Sequence, residues 1–145
     1  MRASQWLLTL SLFGFVSCCW AAQPTCSINV QSVNFGSYDI FSNIALDSTG
    51  NIDVVCDANM NYKITLSTGA GTYSSRKMLY ATSWLNYNLY IDAAMTSVWG
   101  DGTLGTAVIN DKSRSRSYAI YGRIPARQNV YAGSYSDSLI VSVYF

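Results

Sequence analysis

Gly133-Ser-Tyr-Ser-Asp-Ser-Leu-Ile-Val-Ser-Val-Tyr-Phe145 carries the strongest fold signal in the sequence. Leu139, Val141, Val143 and Phe145 alternate with Ser138, Ile140, Ser142 and Tyr144. Side chains two apart share a face of a strand, so the spacing predicts a strand with one fully apolar face. Strands at a sheet edge are normally blunted by Lys, Pro or a bulge. None of these follows Leu139. Either the strand lies inside a finished sheet, or its apolar face and backbone await another chain.

Working outward, the remaining composition agrees with an all-β domain. Half of the 145 residues are hydrophobic, only 12% are charged, and there are eleven Tyr and ten Gly. All eight acidic residues are Asp, so helix formers of the Glu type are missing, while β-branched, aromatic and turn residues abound. The length suits one domain with a sizeable core.

Three further alternating runs are legible. Cys26, Ile28 and Val30 share one face, as do Ile52, Val54 and Cys56, and then Tyr62, Ile64 and Leu66, with Lys63 and Thr65 expected outward. Leu85, Tyr87, Leu89 and Ile91 form a fourth set, and Tyr118 to Ile124 a strand stopped by Pro125. Asp47-Ser-Thr-Gly50, Asp57 to Asn61 and Trp99-Gly-Asp-Gly102 read as turns, and Asn110 to Ser117 as a polar loop. Arg76 to Tyr80 is ambiguous, and Thr106 to Ile109 is a short strand at most. About six or seven strands at roughly ten-residue spacing indicate an immunoglobulin-sized β-sandwich.

At the other end, Met1-Arg-Ala-Ser-Gln, the apolar run Trp6 to Val16 and the small residues Ala21-Ala22 have the layout of a secretory signal. Residues 1–21 are read as that signal, cut after Ala21 or Ala22, and 22–145 as the domain. Lipid attachment at Cys18 is the lesser alternative, since no Leu stands three residues before it. The run is short for a membrane span, and no other segment is long and apolar enough. Without Arg2, eight basic residues face eight Asp, so a zero balance gives no electrostatic case for nucleic acid or an anionic membrane. Beyond the signal, Cys26 and Cys56 remain. In an exported chain two Cys read as one disulfide between neighbouring strands, in preference to two free thiols.

Chemistry is sparse. There is no His and no Glu, which closes off Ser-His-Asp and Cys-His arrangements and leaves only Asp for paired carboxylates. Asp92, Asp101 and Asp137 sit where turns favour Asp. Gly100-Asp-Gly-Thr103 resembles a calcium loop only faintly, with one carboxylate where several oxygens are needed. Lys112, Arg114 and Arg116 read as a solvated loop. No enzyme, metal or cofactor is expected.

Taken in order, Cys26-Ser-Ile, Val33-Asn-Phe-Gly-Ser-Tyr38, Gly50-Asn-Ile-Asp-Val-Val-Cys56, Tyr62-Lys-Ile-Thr-Leu, Leu85-Asn-Tyr-Asn-Leu-Tyr-Ile-Asp92, Trp99-Gly-Asp-Gly-Thr103, Tyr121-Gly-Arg-Ile-Pro125, Gln128-Asn-Val and Gly133-Ser-Tyr-Ser-Asp137 cover nearly the whole domain. Together they resemble the spore coat protein U domain, the fold of secreted subunits of archaic (Csu-type) chaperone–usher pili. The resemblance implies an incomplete immunoglobulin-like sandwich lacking its last strand. A periplasmic chaperone would supply that strand first, and a neighbouring subunit would replace it at the usher by donor-strand complementation, the mode known for chaperone–pilin pairs. It implies the Cys26–Cys56 bridge, and an acceptor groove flanked by Leu139, Val141, Val143 and Phe145. It also implies passage through the periplasm to a surface fibre serving adhesion and biofilm formation. The four residues Ala22 to Thr25 would span roughly 13 Å at ~3.3 Å each, too short to donate a strand, so a terminal subunit, such as one at the tip, is expected. The alternatives are a self-contained glycan- or surface-binding module and a coat-layer protein.

Overall fold

The computed structural model describes residues 23–145. The signal expected over residues 1–21, with Cys18 and Cys19, lies outside them. The described chain is all-β, with strands β1 (Cys26–Gln31), β2 (Leu46–Leu66), β3 (Arg76–Tyr80), β4 (Ser83–Tyr90), β5 (Ile109–Ile124) and β6 (Val141–Tyr144). They form one curled antiparallel sheet in the order β1-β2-β5-β4-β3, with β6 added to β2.

The curl comes from one ribbon. β2 and β5, 21 and 16 residues long, pair from Leu46↔Ile124 to Ile64↔Ile109. Between Val55↔Ser115 and Met60↔Ser113, the four residues Cys56 to Asn59 face Arg114 alone. Surplus residues on one strand bend it and increase its twist. The N-terminal half of β2 therefore sits in one layer beside β1, and its C-terminal half in the other beside β6. The layers enclose a core that includes Ile52, Val54, Ile64, Leu66, Trp99 and Ile124, each no more than 2% exposed. The arrangement is an immunoglobulin-like sandwich rolled into a half-barrel.

Several sequence expectations change here. Asp47 to Gly50, expected as a turn, belongs to β2 because the ladder to β5 carries the chain through it. Asp57 to Asn61, also expected as a turn, lies within β2 too, but there the ladder to β5 breaks and resumes only at Met60. Asn110 to Ser117, expected as a polar loop, is the first half of β5. Most of its side chains face water, so no buried alternation marks it, and backbone pairing to β2 makes it a strand. Arg76 to Tyr80 resolves as β3, in a two-residue hairpin with β4 whose Ala81 has φ 50°. Thr65, expected outward, is buried. Ile28 and Val30, opposite the fully buried Val54 and Ile52, are each 43% exposed, because nothing in the second layer covers the edge strand β1.

The disulfide expected between Cys26 and Cys56 is present, between directly opposed residues of β1 and β2 with Cα atoms 4.0 Å apart. Two glycines let the chain after β1 lie against the sheet. A Cβ on Gly50 would meet Val33 Cγ2 at 2.9 Å, and one on Gly122 would meet the Phe35 ring at 2.7 Å.

The surface carboxylates give the fold a pH signature. Five Asp are held below the ordinary carboxylate range: Asp47 by hydrogen bonds from Arg123, Asp53 by the Ser117 and Asn51 side chains, Asp92 by the Thr96 and Ser97 backbone N–H groups, Asp101 by Thr103, and Asp111 by the Tyr118 hydroxyl. A carboxyl whose pKa is lowered by folding contributes stability above its unfolded value of about 3.9, and that contribution is lost as pH falls through the folded value, because the unfolded chain then binds more protons. The melting temperature is expected to be flat from neutrality to about pH 5 and to fall steadily below about pH 4. A constant melting temperature down to about pH 2 would contradict this assignment.

Candidate functional site

A groove of about 900 Å³ opens between two segments that carry no regular ladder. One wall is the chain after β1, from Ser32 to Phe41. The other is the approach to β6, from Val130 to Asp137, continuing into Leu139 and Val141. The floor is the domain's own core: Leu66 of β2, Met78 of β3, Leu85, Tyr87 and Leu89 of β4, and Ile120 and Ile124 of β5. The volume is at the upper end of ligand pockets, ~300–1,000 Å³, and the floor is almost wholly apolar.

Strand alternation sets what the second wall offers. β6 pairs with β2 through Thr65↔Ser142 and Lys63↔Tyr144, and the Ser67 N–H donates to the Ile140 carbonyl at 3.0 Å. Residues 140, 142 and 144 thus turn their backbone groups to β2, and the alternation aims those of Leu139, Val141 and Val143 at the free edge. The apolar side chains of these residues point inward and pack against the core. Of the four residues expected along the groove, Leu139 and Val141 line it. Val143 stands further along the same edge, opposite Ile64. Phe145 is 57% exposed and meets the Tyr62 ring edge-on, with centroids 6.0 Å apart, beside a separate shallow depression.

Polar anchors hold both walls. On the first, Phe35 meets Tyr87 edge-on at 6.0 Å, and the Tyr38 hydroxyl donates to the Pro125 carbonyl at 2.8 Å while accepting from the Gln128 N–H at 2.8 Å. On the second, Asp137 accepts from the Tyr87 hydroxyl at 2.7 Å and from the Ala70 N–H at 3.1 Å. Burial, and then the bond to Asp137, push the Tyr87 phenol well above its usual pKa, so it stays a donor. Backbone bonds between Ser136 and Leu79 tie this wall to β3.

Beneath the floor lies Arg76, fully buried. Its Nε and Nη2 donate to the Ser67 carbonyl at 3.1 and 2.9 Å, Nη2 also to the Trp99 carbonyl at 2.6 Å, and Nη1 to Asn88 Oδ1 at 2.6 Å. The guanidinium lies 5.4 Å from the Tyr73 ring centroid. Burial lowers its pKa from the usual value. One side chain therefore joins the end of β2, β3, β4 and the Trp99 turn. The sequence reading missed it because an arginine in an ambiguous five-residue run carries no sign of burial. It missed the first wall too, since Val33 and Phe35 alternate only until Gly36, at φ 69°, bends the chain.

Of the carboxylates weighed for chemistry, Asp137 anchors the second wall of the groove and the other two lie outside it. Asp92 and Asp101 bind their own turns, to Thr96 and Ser97 and to Thr103. No group of three or more metal-type ligands occurs among the described residues. No described helix is long and apolar enough to cross a membrane.

The sequence profile of the Spore Coat Protein U domain matches residues 14–142. "Protein U" of Myxococcus xanthus is 32% identical over 129 aligned residues, covering 79% of this chain and 72% of that protein. The fold is similar to one chain of the crystal structure of the chaperone–tip adhesion subunit pre-assembly complex from archaic chaperone–usher Csu pili of Acinetobacter baumannii. The TM-score is 0.61 at 22% identity, over 85% of this chain and 40% of that one, so this chain spans less than half of that protein. Profile and relative agree: this chain belongs to the spore coat protein U domain family.

Proposed function

We propose that this protein is an exported structural subunit of a chaperone–usher type surface fibre, and that its groove accepts a β-strand from another polypeptide. The observation that carries the reading is a groove with the hydrophobic core as its floor and two unladdered segments as its walls. A strand laid between them would pair with the free edge at Leu139, Val141 and Val143 and cover the half-exposed Val30 of β1. The first occupant is a strand of a periplasmic chaperone, and the later one a strand of a neighbouring subunit delivered through the usher. Adhesion and biofilm formation are the outputs such a fibre serves. The role is structural rather than catalytic.

The test is export of the protein to the periplasm, alone and with a chaperone of this class. Degradation alone and rescue as a one-to-one complex is the expected result. A stable monomer with cooperative melting and no need of a chaperone would favour a self-contained glycan- or surface-binding module. Val141→Asp is expected to weaken chaperone capture by ~100-fold or more, because strand insertion would bury an unpaired carboxylate. Tyr144→Asp, on the outward face of the same strand, is the control and is expected to leave capture unchanged. Equal capture by both variants would remove the groove from the mechanism.

The family's description favours one second reading, a coat layer in which copies of the chain interlock through the same groove. It predicts multimers of the chain without any chaperone.

A further inference from the structure

The edge of β4 ends in an unusual way. Tyr80 and Ser83 close the two-residue hairpin, so Ser83, Leu85 and Tyr87 bond to β3, and Trp84, Asn86 and Asn88 turn their backbone groups to the opposite edge. There Asn88 finds Arg123 of β5. β5 stops at Ile124, and Pro125 has no N–H with which to continue the ladder. The next position, Asn86, should be left open. Instead, the Asn86 N–H donates to Gln128 Oε1 at 2.8 Å, and Gln128 Nε2 donates to the Asn86 carbonyl at 2.8 Å. A primary carboxamide presents a donor and an acceptor side by side, as an opposing strand residue does.

The carboxamide is held in place for this. Its Nε2 also donates to the Pro125 carbonyl at 3.2 Å, and the Gln128 N–H is fixed by Tyr38. Arg127, at φ 58°, adopts the left-handed conformation that brings Gln128 round to β4. A non-glycine residue rarely accepts that conformation unless its surroundings hold it.

We propose that the Gln128 side chain acts as a surrogate strand, sealing the β4 edge against pairing with a second copy of this chain. An unsealed edge offers free N–H and C=O groups as a template for another strand. In an incomplete sandwich with a second open edge along Leu139 to Val143, the seal decides where a strand can be added. That consequence rests on the groove reading, while the seal stands on the Asn86 geometry alone.

Gln128→Met keeps the length and packing of the side chain and removes both hydrogen bonds. Hydrogen exchange followed by NMR on the whole protein is expected to show the Asn86 N–H exchanging ~100-fold faster, with the Leu85 and Tyr87 N–H groups, bonded to β3, unchanged. Sedimentation is expected to show concentration-dependent dimers absent from the wild type. A further Trp84→Pro change, which removes the neighbouring edge donor, is expected to abolish them. Gln128→Glu, which keeps the acceptor and loses the donor, is the second variant should the methionine fail to fold, and the same two readouts apply. Unchanged Asn86 exchange, or faster exchange without dimers, overturns the proposal. Failure of the groove reading would show instead as wild-type protein that captures no chaperone, with the Gln128 results intact.

Discussion

Arg76→Met is expected to destabilise the domain by about 3 kcal/mol, more than a typical point substitution. The guanidinium serves the Ser67 carbonyl twice, the Trp99 carbonyl and Asn88 Oδ1, and no buried side-chain donor or acceptor among the described residues is left unpaired. Methionine fills similar space and offers no donor. Orphaning a buried acceptor costs roughly 1–3 kcal/mol, and the Ser67 and Trp99 carbonyls lose their donors together, while Asn88 Oδ1 keeps the Leu89 N–H. Two effects oppose each other. Removing the charge relieves the desolvation that lowers the Arg76 pKa, and this recovers part of the loss. The acceptors dominate because they sit on three separate pieces of chain, at Ser67, Asn88 and Trp99, that share Arg76 as a common donor. For a domain of this size about 3 kcal/mol corresponds to a melting temperature lower by roughly 12 °C. Arg76→Lys keeps the charge, but one ammonium cannot reach three acceptors set around a planar fork, so it is expected to lose about 2 kcal/mol. Urea unfolding of both variants checks this. A methionine variant within about 1 kcal/mol of wild type would show that the network is replaceable by packing.

The second large effect is expected from the disulfide. Joint replacement of Cys26 and Cys56 by alanine removes a link across 30 residues of sequence, for which the chain-entropy account gives about 3.5 kcal/mol. The fold decides where the loss appears. β1 pairs with β2 alone, its Ile28 and Val30 are half-exposed, and it leads directly into the first groove wall. Without the bridge, β1 is expected to fray first, with its amides exchanging early while the β2–β5 ladder stays protected. Melting with and without reductant, followed by residue-level exchange, checks both parts. A melting temperature unmoved by reductant, or uniform loss of protection, would show that β1 is held by its ladder rather than by sulfur.

The same elements show what could be read from sequence. Alternation located the inner faces of both halves of β2, most of β4, the end of β5 and the approach to β6, because each places apolar side chains on the core, and it located β1 as well, although Ile28 and Val30 there stay half-exposed. It failed at Asp57 to Asn61 and Asn110 to Ser117. Asn110 to Ser117 is held as a strand largely by backbone pairing with β2 residues about fifty to sixty positions away, and Asp57 to Asn59 is the stretch where that ladder lapses. It also failed at Arg76, where burial of a charge is acceptable only because acceptors from distant segments converge.

The all-β class, the cysteine pair, the family and the apolar face carrying Leu139, Val141 and Val143 are legible in the chain before it folds. Those properties are set by local periodicity and side-chain chemistry. The bend of the β2–β5 ribbon into two layers, the facing wall from Ser32 to Phe41, and the hold of Arg76 and Gln128 on the floor and one edge emerge from long-range packing. The physical reason is that a groove is a relation between segments far apart in the chain. Each wall is unremarkable in isolation, and the gap between them exists only once the core has brought them together.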